Sequence, residues 1–276
     1  QDRLSAVVCV SQYLSSTVSH VDNCQVATIC SGTPLADTRT CWRSPLRIAY
    51  VGRFVQEQKR ILDTTRTLVE VCRAVPGTTG VMIGDGPEFE AVQVMVRESG
   101  AAIDLPGALS PPQVLATLRE AQVILLLSDY EGLPTAVVEA MSIGLVPVCR
   151  RMRSGIDELV IPHQTGFLVD EFPGEVVDAV QTLSRFAGVW ETMSGNCQTL
   201  VREKFSITSS ADQWAALLKS LVFNAADQCD IPVDAGDLCP FDPRWAAEDS
   251  RTGRVAPAGK PSILRCIRQR LAGLLQ

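Results

Sequence analysis

The chain has 276 residues, 46% of them hydrophobic and 20% charged, enough apolar material for one full core and a second small one. Lys and Arg total 25 against 31 Asp and Glu, and the formal charge of −6 argues against a general nucleic-acid binder. Ten cysteines without a Cys-x-x-Cys pair, and only His20 and His163, argue against a disulfide scaffold or a structural zinc site and fit reduced thiols in a cytoplasmic protein; no stretch has the apolar length of a membrane span, and no secretory signal opens the chain.

Residues 6–10 and 25–29 read as two strands around a helix, and the Ser-Gly-Thr-Pro cluster at 31–34 marks a break. Short apolar strands then alternate with helical patterns, the strands falling at 46–51, 80–83, 102–105, 122–127, 145–149 and 167–169. That alternation predicts an α/β fold with a doubly wound parallel sheet. Gly52, Arg53 and Lys59 lie between the first of these strands and a helix carrying Leu62, Leu68, Val69, Cys72 and Val75. After the second strand, Gly84-Asp85-Gly86 starts like a dinucleotide fingerprint, but Phe89 stands where the third glycine belongs, so NAD binding gains little support.

The run 122–127 is continuously apolar, as in a strand buried on both faces of a parallel sheet. Residues 129–133 read as the turn after it, and Pro134 as the first residue of the next helix, where its missing N–H is no loss. Glu131 therefore falls at the carboxyl end of a strand, in the crevice where open α/β sheets bind ligands. Glu139, the only ionisable residue of an otherwise apolar segment, falls in the second turn of the helix, and the two acids can face one ligand. The bland alternative makes Glu139 a core carboxylate satisfied by an Arg and Glu131 a solvated loop residue.

Arg150, Arg151 and Arg153 occupy the next strand-to-helix turn, either as a solvated turn or as a holder of an anionic donor or acceptor. Residues 173–186, 189–205 and 208–222 read as helices. From 225 to 260 Asp, Pro, Gly and Ala dominate without periodicity, the pattern of a mobile linker. Ile263, Ile267, Leu271, Leu274 and Leu275 then form one stripe of an amphipathic helix, with Arg265, Arg268 and Arg270 elsewhere.

Ser128-x-x-Glu131-Gly132-x-Pro134, Glu139-Ala140-Met141, Gly144-x-x-Pro147-Val148, Glu158-Leu159-Val160 and Gly166-Phe167-Leu168-Val169 resemble the donor-binding half of retaining glycosyltransferases of the GT-B fold, family four (glycosyltransferase group 1). Glu131 and Glu139 match that family's E-x7-E spacing. At 150–153 the family more often carries small residues, so this chain is the more cationic there. The resemblance implies a Rossmann-like sheet as the C-terminal half of a GT-B fold over 45–222. It also implies a partial N-terminal βαβ remnant and interdomain linker over 1–44, a linker over 223–260 and a helix over 261–276.

The implied activity is transfer of a sugar, of hexosyl type, from a nucleoside diphosphate-sugar to an unknown acceptor in cell-envelope polysaccharide synthesis. No metal and no cofactor are expected. By the same resemblance Arg53 and Lys59 contact the diphosphate, Glu131 the hydroxyls of the donor sugar and Glu139 those of the ribose. The Gly84 and Gly86 turn lies beside the donor pocket, and backbone amides near Gly132, Leu133 and Thr135 add to the anion site. A departing nucleoside diphosphate gains negative charge, which fixed cations and amide dipoles can meet. Most of the acceptor domain lacks a counterpart in this chain, which leads to the expectation of a separate N-terminal polypeptide as partner. The C-terminal helix is expected to dock on the first domain or to touch the cytoplasmic face of an anionic membrane. A non-catalytic nucleotide-sugar-binding module, a sugar-nucleotide epimerase and a structural interaction domain stand as alternatives.

Overall fold

The structure, a computed structural model, describes residues 6–18, 25–35 and 38–226. The first elements are β1 (Ala6–Cys9), α1 (Gln12–Thr17) and β2 (Gln25–Thr28), and β1 pairs in parallel with β2. There follow β3 (Arg47–Val51), α2 (Gln56–Lys59), α3 (Ile61–Ala74), β4 (Thr79–Ile83), α4 (Phe89–Ser99), β5 (Ile103–Gly107) and α5 (Pro111–Leu118). Then come β6 (Val123–Leu126), α6 (Thr135–Ser142), β7 (Val146–Arg150), α7 (Ile156–Leu159), β8 (Phe167–Val169), α8 (Gly174–Arg185), α9 (Ala187–Lys204) and α10 (Ile207–Ala226).

Strands β3 to β8 form one parallel sheet in the order β5-β4-β3-β6-β7-β8, the doubly wound order expected from the alternating pattern. Val123, Ile124, Leu125 and Leu126 are all buried because parallel sheets are covered on both faces, which is why β6 shows no polar alternation. The helices bury one stripe each: α8 turns Val176, Ala179, Val180 and Leu183 inward at helical spacing. Helix α6 begins one residue later than the proline rule predicts. Pro134 is the residue before it, extended at ψ 94°, and its carbonyl accepts the amides of Val137 at 3.0 Å and Val138 at 3.2 Å.

The chain divides into Gln1–Ser210 and Ala211–Gln276, and β1, α1 and β2 fall in the same compact unit as the large sheet. Described residues between β2 and β3 are tied to the large sheet's helices and strands: Thr33 donates its amide to Phe205 O at 2.8 Å, and the Thr40 hydroxyl donates to Ala121 O at 2.9 Å. The indole N–H of Trp42 reaches Leu183 O at 3.1 Å. Of the second unit, the described part is the remainder of α10, which runs to Ala226 and so continues past residue 223, where the linker was expected to begin; the rest of the expected linker to residue 260 and the amphipathic helix over 261–276 lie outside the described residues. Among the described residues no helix is long and apolar enough to cross a membrane.

Gly84 shows how the strand ends are held. Its φ is +146°, and a Cβ there would stand 1.9 Å from Gly52 O, so the turn after β4 packs backbone to backbone on the turn after β3. Gly84→Ala should therefore destabilise the fold by more than about 2 kcal/mol, read as a lower urea midpoint; an unchanged midpoint would mean that the two turns separate freely.

Candidate active site

The sheet changes winding direction between β3 and β6, where Ile48 pairs with Val123 and Ala49 with Ile124. Open α/β sheets bind ligands at such a point, in the crevice outside the carboxyl ends of the strands. One turn carries Arg53 and Lys59, the other Asp129, Tyr130, Glu131 and Gly132.

The first turn is shaped by backbone constraints. Phe54 donates its amide to Asp85 O at 2.9 Å, and a Cβ on Gly86 would meet Phe54 O at 2.4 Å. Gly84 and Gly86 thus support the Arg53 turn directly, through contact with protein backbone. Buried Tyr50 donates its hydroxyl to Arg53 O at 3.0 Å, and burial first, then the nearby Glu131 charge, pushes its phenol pKa far up. The Arg53 side chain is exposed and donates to Gln58 Oε1 at 2.9 Å.

Helix α2 is one turn long and ends at Arg60 in the left-handed conformation, φ +48°. A non-glycine residue there needs outside support. Arg60 finds it in Asp63 at 3.0 Å, Asp129 at 3.3 Å and the Phe172 ring at 5.2 Å. The sharp stop leaves Lys59 beside the second turn, where its Nζ lies 2.5 Å from Glu131 Oε1. Gln58 ties the turns together a second time, accepting the Asp129 amide on its carbonyl at 2.9 Å and donating its side-chain N–H to Tyr130 O at 3.2 Å.

Arg53, Lys59 and Glu131 are thus brought into one network. Glu139 joins it only through the helix: it stands four residues after Thr135 on the exposed side of α6, while Val137, Val138, Ala140 and Met141 are buried. Its carboxylate has no hydrogen bond or ion pair among the described residues, so it is no core carboxylate satisfied by an arginine. Leu133 is buried at the bend. The amides of Gly132, Leu133 and Thr135 donate to no protein acceptor among the described residues, which leaves them available at the start of a helix.

Next to this network lies a cleft of about 640 Å³, walled by the Asp129–Gly132 turn, by residues 150–153 after β7 and by Tyr13 and Leu14 of α1. Glu158 positions α1: its Oε1 accepts the Gln12 amide at 2.8 Å. Gly155 donates to Gly132 O at 3.0 Å, and a Cβ on Gly155 would lie 2.7 Å from Ser11 Cβ, so three strand exits meet at this point. Gln58, Arg60, Asp129, Tyr13 and Tyr130 were not legible as site residues from the sequence. The one available signal was Asp129, a charge beside the paired acids.

Two outcomes follow. Side-chain exposures of 15% for Lys59 and 9% for Glu131 make this a largely desolvated pair, in which losing one partner strands the other. Lys59→Ala should cost roughly 3 kcal/mol in urea unfolding, and Lys59→Met with Glu131→Leu should recover most of it; equal losses would show that the pairing contributes nothing. Partial desolvation raises the Glu139 pKa above its ordinary value although the side chain stays exposed. A carboxyl raised on folding favours the fold at pH below its unfolded pKa and loses that advantage as pH climbs through the folded one. Glu139→Gln should therefore stabilise the protein at pH 7 and leave its stability at pH 3.5 unchanged, as thermal melts at the two values would show.

Comparison with known proteins agrees with this geometry. Residues 43–185 match the family described as glycosyl transferases group 1. The lipopolysaccharide 1,6-galactosyltransferase of Salmonella typhimurium is 33% identical over 150 residues, covering 51% of this chain and 39% of that protein. The alpha-D-kanosaminyltransferase of Streptomyces kanamyceticus is 25% identical over 177 residues, covering 63% and 45%. The chain spans less than half the length of these curated relatives. HepE of Anabaena, solved in complex with UDP and glucose, shares the fold with a TM-score of 0.67 at 18% identity, over 78% of this chain and 63% of that one. With that match covering more than half of its residues, this chain belongs to the glycosyl transferases group 1 family.

Proposed function

We propose that this chain binds a nucleoside diphosphate-sugar and serves as the donor-binding half of a glycosyltransferase that retains anomeric configuration. The observation that carries this reading is the convergence of Arg53, Lys59 and Glu131 from two strand exits at the point where the sheet changes direction. Arg53 and Lys59 supply fixed positive charge for a diphosphate, Arg with a fork that can hold two oxygens and Lys as a point charge. The amides of Gly132, Leu133 and Thr135, which have no protein acceptor among the described residues, offer further donors to an anion. As the glycosidic bond breaks, charge builds on the leaving diphosphate, and groups already in position stabilise it without reorganising. Glu131, anchored by Lys59, accepts from hydroxyls of the donor sugar. Glu139, on the exposed face of α6 next to Thr135, accepts from the ribose hydroxyls.

The transfer step belongs to this proposal together with an acceptor-side surface that closes on the crevice, aligns the acceptor and keeps water out. No step is assigned to a metal or a cofactor. UDP, GDP and ADP are the probes of choice, since a ligand held by the folded state raises the melting temperature. At least one of the three should do so for the wild type. Arg53→Ala, at an exposed position, should fold normally and bind that nucleotide roughly ten- to a hundredfold more weakly by calorimetry. Unchanged affinity in the folded variant would remove Arg53 from the diphosphate site.

A further inference from the structure

This inference builds on the donor-site reading above. Charges around the cleft are compensated unevenly. Glu131 is matched by Lys59, and Asp129 is bracketed by Arg60 at 3.3 Å and Arg150 at 2.5 Å. Arg151 reaches Asp170 at 3.4 Å and Asp157 at 3.9 Å, pairs at least half exposed on both sides and therefore weak. Arg153 is exposed and has no hydrogen bond or ion pair among the described residues. The amides of Met152 and Arg153 likewise donate to no protein acceptor among them.

Position decides what this free charge can meet. The sheet runs β3, β6, β7, so the arginine turn after β7 lies on the far side of Glu131 from the Arg53 turn. A diphosphate gripped on the Arg53 side leaves the arginine turn facing the carbohydrate end. Tyr130, 57% exposed, and Tyr13 also border the cleft, and rings with an apolar face and a polar tip suit a sugar. A solvated turn would explain Arg150 and Arg151, whose charges acidic neighbours answer, but it leaves Arg153 as an unanswered cation in a cleft wall.

We propose that Arg153, assisted by Arg151, binds a second anionic group, a carboxylate or phosphate carried by a carbohydrate and separate from the diphosphate, so that the cleft selects an acidic sugar. The guanidinium fork and the free amides of the turn offer several donors to such a group. The charge can reside on the donor sugar or on the acceptor; the chemistry at Arg153 is the same.

Calorimetry on the wild type and on Arg151→Ala/Arg153→Ala separates the outcomes. The donor arm compares UDP, UDP-glucose and UDP-glucuronate. The acceptor arm compares methyl glucoside, methyl glucuronide and glycerol phosphate on protein saturated with UDP. In at least one arm an anionic ligand should bind roughly tenfold more tightly than its neutral counterpart, and the variant should lose that margin while holding UDP as the wild type does. Equal affinities in both arms with UDP still bound, or a margin that survives in the variant, would overturn the inference and leave the donor reading standing. A variant that binds UDP itself more weakly would reassign these arginines to the diphosphate and overturn it too. A wild type that binds none of UDP, GDP and ADP would remove the donor reading and this inference together.

Discussion

Ile48 beside Val123 and Ala49 beside Ile124 join two strands that are distant in sequence, and the crevice exists because of that pairing. The chain winds outward from β3 in one direction and from β6 in the other, and the turns that leave them lie side by side at the carboxyl edge of the sheet. Buried apolar residues on both faces hold the two strands in the interior, where their backbone groups must pair with each other. Lys59 and Glu131, 72 positions apart in the chain, meet at 2.5 Å only because the sheet has already placed their turns side by side.

The crevice is maintained by restraint on backbone more than by attraction between charges. Gly84 and Gly86 let the turn after β4 lie directly against Gly52 and Phe54, and Arg60 holds a left-handed conformation because two carboxylates and an aromatic ring occupy its side chain. Such positions store strain that the surrounding fold must over-determine. The return is order: Lys59, Gln58 and Arg53 emerge from a turn with little freedom to rearrange, the condition under which fixed charges act without the cost of reorganisation.

The N-terminal βαβ element contributes in the same manner. Glu158, on the short helix after β7, accepts the first amide of α1 and fixes the helix that brings Tyr13 and Leu14 to the cleft. Acidic partners hold Arg150 and Arg151 in the neighbouring wall, whereas Arg153 presents its charge to the opening. Three strand exits thus contribute three kinds of surface: aromatic and aliphatic from α1, acidic from β6, cationic from β7.

The strands of the large sheet were readable as apolar runs because a strand buried on both faces must be apolar throughout, and β6 to β8 came within a residue or two of their predicted limits. Paired acids eight residues apart after such a strand also marked one side of the crevice, since the end of a parallel strand is where ligands meet this kind of sheet. The sequence by itself therefore determined the fold class and the turn that carries Glu131. Tertiary structure alone decided that Lys59 pairs with Glu131, that Gln58 bridges both turns, that Gly84 and Gly86 press on backbone, and that Glu158 anchors α1. Each of these is a contact between segments distant in the chain, whose partners carry no shared periodicity; only the packing of the sheet brings them within bonding distance.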